Sequence, residues 1–305
     1  MPTSTVDALA YYAEYGIISD PGRFGRLYNN LPSDISQLCR ISQGLLLHPF
    51  WAERYGEKLS KERIAQADIR QVETILARIQ EIKSSPIEEI RPLNERFVGN
   101  CRTFSVLMAS MLQSLGIPAR ARCGFGRYFT SGWYEDHWIC EYWSEEHHKW
   151  IMVDAQLDDF QSQDLKIGFD PLDVPRDQFI VGGKAWLSCK NGETDPEKFG
   201  IFDMRGMWFI RGNLIRDLAA LNKVELLPWD GWGLIDQEFE NLSNGELILL
   251  DDIASITSDE IDFLAVRELY KSNKSLEVPP IIKSYMQSGT VEIDIETEEI
   301  IKSSE

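Results

Sequence analysis

Positive charge is what this sequence most conspicuously lacks. It carries 31 lysines and arginines against 49 acidic residues, a formal net charge of −18 over 305 residues. A protein that neutralises phosphates needs a basic face, so nucleic acid is not an expected partner, and neither is an anionic membrane leaflet. Long apolar runs are also missing. The longest, residues 106–115, is interrupted by Ser110 and Gln113. It falls far short of the roughly 20 residues that a bilayer-spanning helix requires. The opening text MPTSTVDALAYYAEYG has no basic stretch ahead of an apolar core, so no signal peptide is expected. These absences predict a soluble, cytoplasmic protein.

Cysteine and histidine are scarce. Cys39, Cys101, Cys123, Cys140 and Cys189 are odd in number, widely spread and without a CxxC pair. That pattern predicts reduced thiols rather than a disulfide framework. There is no HExxH, no Cys/His cluster and no DxDxDG loop, so neither a metal nor a cofactor is expected. Gly124 and Gly126 do not sit between a strand and a helix, which argues against a phosphate loop.

What the chain does have is apolar material. Hydrophobic residues make up 43%, with 9 Trp, 14 Phe and 10 Tyr, so global disorder is excluded. The length fits two domains or one elaborated domain. No repeat is visible, and three regions are. Residues 1–90 read as helical and are expected to pack on the core. Asp34 can cap a helix with apolar positions Ile35, Leu38, Ile41 and Leu45. Asp68 can cap a second, with Ile69, Val72, Ile75, Leu76, Ile79 and Ile82. Residues 91–160 change to one helix followed by strand-like text. Residues 161–305 are mixed and acidic. They contain a Gly- and Trp-rich stretch at 204–234, and residues 236–305 alone hold 17 acidic and 5 basic side chains. No Pro/Gly/Ser linker precedes this third region, so it is expected to pack on the core. Residues 302–305 are expected to fray.

Chemistry concentrates in residues 100–159, NCRTFSVLMASMLQSLGIPARARCGFGRYFTSGWYEDHWICEYWSEEHHKWIMVDAQLDD. Phe104, Leu107, Met108, Met111, Leu112 and Leu115 form a helical stripe, which Gly116 and Pro118 end. Cys101 therefore falls in the first turn of a helix, where free N–H groups and the helix dipole favour a thiolate. Strands are predicted at 119–129, 136–143 and 150–157, the last two joined by a polar turn at 144–149. In such a hairpin His137 begins one strand and Asp154 ends its antiparallel neighbour, close to opposite each other. A carboxylate there can fix the imidazole tautomer. Helix-start Cys, strand His and adjacent-strand Asp are the parts of an activated thiol nucleophile that attacks an amide or ester carbonyl.

Other residues read as structural. His48, in LLLHPF, is a packed or capping residue, and His147 and His148 are surface residues of the turn. Cys123 and Cys140 are strand thiols. Asp158 or Asp159 could replace Asp154 in another register. Glu135 and Asp136 flank His137 at a strand entrance, where they could tune its charge. Trp133, Tyr134, Trp138 and Trp143 are divided between core and the wall of a substrate cleft.

NCRTFSVLMASMLQSLGIPAR, EDHWICEYW and KWIMVDAQLD together resemble the core of the transglutaminase-like superfamily, in the manner of a bacterial-type stand-alone member. The order Cys, His, Asp matches, with 36 residues from Cys101 to His137 and 17 more to Asp154. YEDHWICEYWSEEHHKWIMVDA also resembles the same portion of peptide:N-glycanases, although the zinc-binding CxxC pairs of those enzymes are absent. The resemblance implies an α+β, papain-like core in which a nucleophile helix packs on an antiparallel sheet. It also implies catalysis by Cys101, His137 and Asp154 through a Cys101 thioester. The substrate would be a peptide or a small-molecule amide. Water as acceptor makes the protein a hydrolase, and stand-alone members lean that way. An amine acceptor would make it an acyl transferase, and a silent core would make it a binding scaffold. VDAQ stands where VDP is frequent, and no side-chain donor for an oxyanion hole is identified. The sequence predicts no oligomeric state.

Overall fold

The computed structural model describes residues 3–303. The helices are α1 (Thr3–Ala13), α2 (Ile35–Leu45), α3 (Pro49–Ala52), α4 (Lys61–Ile64), α5 (Val72–Ile82), α6 (Cys101–Ser114), α7 (Asp159–Asp164), α8 (Gly182–Lys190), α9 (Met207–Leu221), α10 (Gly233–Asp236), α11 (Asn244–Thr257) and α12 (Phe263–Ser272). The strands are β1 (Leu46–Leu47), β2 (Phe97–Val98), β3 (Ala119–Gly126), β4 (Tyr134–Ser144), β5 (Lys149–Val153), β6 (Phe179–Val181), β7 (Phe199–Ile201), β8 (Met204–Arg205), β9 (Asp230–Gly231), β10 (Ile281–Met286), β11 (Gly289–Asp294) and β12 (Ile300–Ser303). This is the α+β class expected, and none of the helices among the described residues is long and apolar enough to cross a membrane.

The chain forms two compact units that alternate along the sequence. The first comprises Val6–Ala121 and Ile139–Val174, and the second Met1–Thr5, Arg122–Trp138 and Pro175–Glu305.

In the first unit, α2 starts where Asp34 accepts the Gln37 N–H (2.9 Å), and it buries Leu38, Ile41 and Leu45. The helix expected after Asp68 begins later, at Val72. Asp68 instead closes a 3-10 turn, and its carbonyl accepts from Arg70 Nη1 (2.9 Å). Val72, Ile75, Leu76 and Ile79 are nonetheless buried as the spacing implied. β1 and β2 pair in parallel, Leu46 with Phe97 and Leu47 with Val98, and lead the chain into α6.

α6 is buried on all sides through Gln113, not along one stripe only. Its polar positions are each matched: Ser105 Oγ donates to the Cys101 carbonyl (3.0 Å), Ser110 meets the Tyr28 hydroxyl (3.1 Å), and Gln113 Nε2 donates to the Ala119 carbonyl (3.0 Å). Those bonds make it possible for a helix with polar residues to run through a core. Its end is a Schellman cap. Gly116 takes φ +72°, the Ile117 N–H reaches the Leu112 carbonyl and the Gly116 N–H reaches Gln113.

β5 pairs with the second part of β4, from Cys140↔Val153 to Ser144↔Lys149. The expected third strand ends early. After Val153 the Asp154 N–H turns to the Pro171 carbonyl (2.9 Å), so the ladder with β4 stops there. Arg120 and Glu141 form a buried ion pair (2.8 Å), with the Arg120 guanidinium over the Trp150 ring at 3.8 Å.

In the second unit the strand order is β6-β3-β4-β7-β8. β3 and β6, and β7 and β8, pair antiparallel, whereas β4 and β7 run parallel over Tyr134↔Phe199 and Glu135↔Gly200. The sheet that the resemblance implies as antiparallel thus includes one parallel pair. A long crossover containing α8 returns the chain in the parallel sense, as parallel strands require. β3 stops at Gly126, short of Phe129, and the Arg127 N–H bonds to the Gln178 carbonyl (2.8 Å). The C-terminal part holds α9, α11 and α12 and a second antiparallel sheet, β12-β11-β10-β9. Lys302, expected to fray, pairs with Glu292 in that sheet, whereas residues 304 and 305 lie outside the described residues.

Candidate active site

Cys101 is the first residue of α6 and is 7% exposed. Asn100 before it is extended and caps the helix, its Oδ1 accepting the Thr103 N–H (3.1 Å). Asparagine is a favoured cap because its short side chain folds back over the helix end. Capping takes one of the four N–H groups that a helix start leaves without an intrahelical acceptor. The Cys101 and Arg102 amides lie in that same first turn. Arg102, fully buried, anchors the turn through Nη1 to the Arg70 carbonyl (2.7 Å).

Asp154 follows β5, 1% exposed, and its Oδ1 accepts the Gln156 N–H (3.1 Å). Cys101 and Asp154 both belong to the first unit and His137 to the second. His137 lies on β4, 2% exposed, walled by Phe129, Tyr128 and Phe179, with ring centroids 4.8, 5.9 and 6.2 Å away. The turn between β4 and β5 has four residues, 145–148, with His148 at φ +49°. The last rung is Cys140↔Val153, and Asp154 lies past it, outside the ladder. The observed rungs therefore do not set Asp154 opposite His137.

The remaining candidates sort themselves. His48 caps α3, its Nδ1 accepting the Phe50 N–H (3.2 Å). His147 and His148 are exposed in the turn. Cys123 and Cys140 are buried strand residues. Asp158 does not replace Asp154: it caps α7 and accepts the Tyr55 hydroxyl (2.6 Å). Asp159 is the first residue of α7. Asp136 accepts from Asn213 Nδ2 (2.7 Å), and desolvation is the main cause that raises its carboxyl above the ordinary range. Glu135 is hydrogen-bonded to the Thr130 hydroxyl. Trp138 and Trp143 are core, whereas Trp133 is 36% exposed under the Arg205 guanidinium (3.8 Å).

Each unit has a cavity. In the first, a narrow space of about 10 Å³, room for about one water, is bordered by Leu47, His48, Tyr55, Phe104, Gln156 and Asp158, among others. In the second, a space of about 260 Å³ has Tyr134, Lys184, Glu193, Phe199 and Asp259 in its lining. Tyr134 and His137 are three positions apart on β4, so this second cavity adjoins the face opposite the histidine. Gln156 was not singled out from the sequence. A glutamine after a strand has no distinctive spacing, and only its hydrogen bonds set it apart.

Residues 57–155 match the family model of the transglutaminase-like superfamily. The match supports a cysteine-dependent catalytic core. No curated protein matches the chain. Among solved structures, the chain is similar to one described as a "Putative Cysteine Protease" from Cytophaga hutchinsonii. The two are 18% identical, the match covers 50% of this chain and 47% of that one, and the TM-score is 0.20.

Proposed function

We propose that the protein is a thiol-dependent hydrolase of amide or peptide bonds. Cys101 is the nucleophile. His137 takes the thiol proton and returns it to the leaving amine, and Asp154 orients the imidazole. Attack of Cys101 Sγ forms the C–S bond of a thioester as the C–N bond breaks. Water, deprotonated by His137, then releases the acid and the thiol.

The observation that carries this reading is the position of Cys101 at the capped first turn of α6. N–H groups without intrahelical acceptors cluster there, and they suit both a thiolate and a developing oxyanion. The superfamily match over 57–155 supports it, because that stretch contains all three residues.

The test is alkylation of the native protein by iodoacetamide at pH 7, followed by peptide mapping. Cys101 is expected to react ahead of the other thiols, and His137→Ala to slow that reaction at least tenfold. A Cys101 rate indifferent to His137 would overturn the reading.

A further inference from the structure

Four side chains of the first unit form one hydrogen-bonded chain whose polarity is set at one end. Asp158, a carboxylate, can only accept. It takes the Gln161 backbone N–H at Oδ1 (2.8 Å) and the Tyr55 hydroxyl at Oδ2 (2.6 Å). Tyr55 has one proton and gives it to Asp158, so its oxygen accepts from Gln161 Nε2 (3.1 Å). That turns Gln161 Oε1 toward Gln156, whose Nε2 donates to it (3.2 Å). Each amide orientation follows from the one before. The far end is Gln156 Oε1, which is buried and has no partner among the described residues. Flipping the Gln156 amide would satisfy nothing, because it would set two carbonyl oxygens against each other at Gln161.

The location of this acceptor gives it a meaning. Gln156 is 3% exposed, two residues past Asp154, and its own N–H holds the Asp154 carboxylate. The small cavity it lines is also bordered by Phe104, one turn along α6 from Cys101. Leu47 borders it too, and the Leu47 carbonyl accepts the N–H of Gly99, two residues before Cys101 (3.1 Å). An acceptor there calls for a ligand atom that brings a hydrogen.

We propose that Gln156 Oε1 accepts an N–H of the amine half of the substrate, and so determines selectivity for nitrogen at the bond being cleaved. This rests on Cys101 being the nucleophile. In cleavage, the departing nitrogen keeps the electron pair of the broken C–N bond and takes a proton from His137, while one of its N–H groups is held by Gln156. In the reverse direction a primary amine attacks the thioester carbon. The C–N bond forms, the C–S bond breaks with its electron pair leaving on sulfur, and the amine proton passes to His137. Asp158 and Tyr55 act at a distance, as positioning residues that keep the Gln156 oxygen turned outward.

The reverse direction provides the test. 4-Nitrophenyl acetate acylates a reactive thiol without needing an amine leaving group, and its nitrophenolate burst reports acylation. Glycinamide is then added, and the ratio of N-acetylglycinamide to acetate is measured, with Cys101→Ala as the blank. Gln156→Met, similar in length but without the acceptor, is expected to lower that ratio about tenfold, the factor that one net hydrogen bond supplies; both products come from one acyl-enzyme, so the ratio does not depend on the size of the burst. Gln156→Glu, which keeps an acceptor, should retain the ratio. Tyr55→Phe frees both amides to turn and should lower it several-fold. It also decides the matter should Gln156→Met fail to melt cooperatively. An unchanged ratio in Gln156→Met and Tyr55→Phe beside a normal burst overturns the proposal and leaves Cys101 as nucleophile. A wild-type burst no larger than that of Cys101→Ala overturns both.

Discussion

Arg122 and Asp217 meet as a two-bond fork with neither side chain exposed: Nε to Oδ1 at 2.9 Å and Nη2 to Oδ2 at 2.8 Å. Asp217 Oδ1 also accepts the Cys123 N–H (2.9 Å), and Arg122 Nη2 reaches the Thr257 carbonyl (2.8 Å). The pair ties β3 to α9 and to the end of α11 within the second unit. Asp217→Ala leaves a buried guanidinium uncompensated and is expected to cost about 3–5 kcal/mol. Replacing both by Met and Leu should cost less, because the orphan is then chiefly the Cys123 N–H, at about 1–3 kcal/mol. Denaturant midpoints of the two variants would check the order.

Two glycines are predicted to resist alanine for different reasons. At Gly182, the first residue of α8, a Cβ would lie 2.8 Å from both the Cα and the N of Leu214 on α9. Backbone cannot yield as a side chain can, so Gly182→Ala should cost about 1–3 kcal/mol. At Gly116 nothing lies within 4 Å, but φ is +72°. Gly116→Ala should therefore cost only the left-handed strain of about 1–2 kcal/mol. Thermal unfolding distinguishes the larger loss from the smaller.

Cysteine labelling should count one reactive thiol in the native protein. Burial pushes the Cys39 and Cys140 thiols well above their ordinary range and the Cys189 thiol to about 12, so none of them supplies thiolate near neutrality. Cys123 is fully buried. Intact-mass measurement after iodoacetamide at pH 7.5 is expected to show a single adduct at Cys101, and five after denaturation.

Asp136 should make stability fall with rising pH. Its carboxyl titrates higher in the folded protein than in the unfolded chain, chiefly by desolvation. The folded state therefore holds this proton more tightly, and its contribution to stability is lost as pH rises from the unfolded carboxylate range through the raised value. Asp136→Asn keeps an acceptor for Asn213 and should flatten that slope, with its largest stabilisation relative to wild type above the window. Denaturant midpoints at pH 4 and pH 7 for both proteins would show it.

Asp154→Asn is expected to reduce amide hydrolysis by about 10²–10⁴-fold while leaving the melting temperature within a few degrees. The amide oxygen still accepts the Gln156 N–H, so the local turn survives, but the carboxylate charge that steadies an imidazolium is gone. A variant as active as wild type would remove Asp154 from the mechanism.

Much of this was legible in the residues themselves. The α6 stripe, its Gly116 stop, the Asp34 cap and the β4–β5 hairpin all follow from local periodicity and turn chemistry. These signals are local because they are determined by backbone geometry over a few residues. The candidate nucleophile was legible for the same reason, since the stripe that begins at Phe104 puts Cys101 in the first turn of a helix, whereas the Asn100 cap came from the structure. Boundaries were less legible. β3 and β5 end where a carbonyl from far along the chain, at Gln178 or Pro171, captures an amide that pairing alone would have kept in the ladder.

The sequence by itself determined the class of fold, the order Cys101, His137, Asp154 and the scarcity of positive charge, because these depend on residue identity and spacing. Only the tertiary structure decided that α6 is buried on every side, that Asp158 caps a helix and receives the Tyr55 hydroxyl, and that the Gln156 oxygen is left over. Those outcomes depend on which distant donors and acceptors meet. A hydrogen bond between residues a hundred positions apart leaves no periodicity in the chain that makes it.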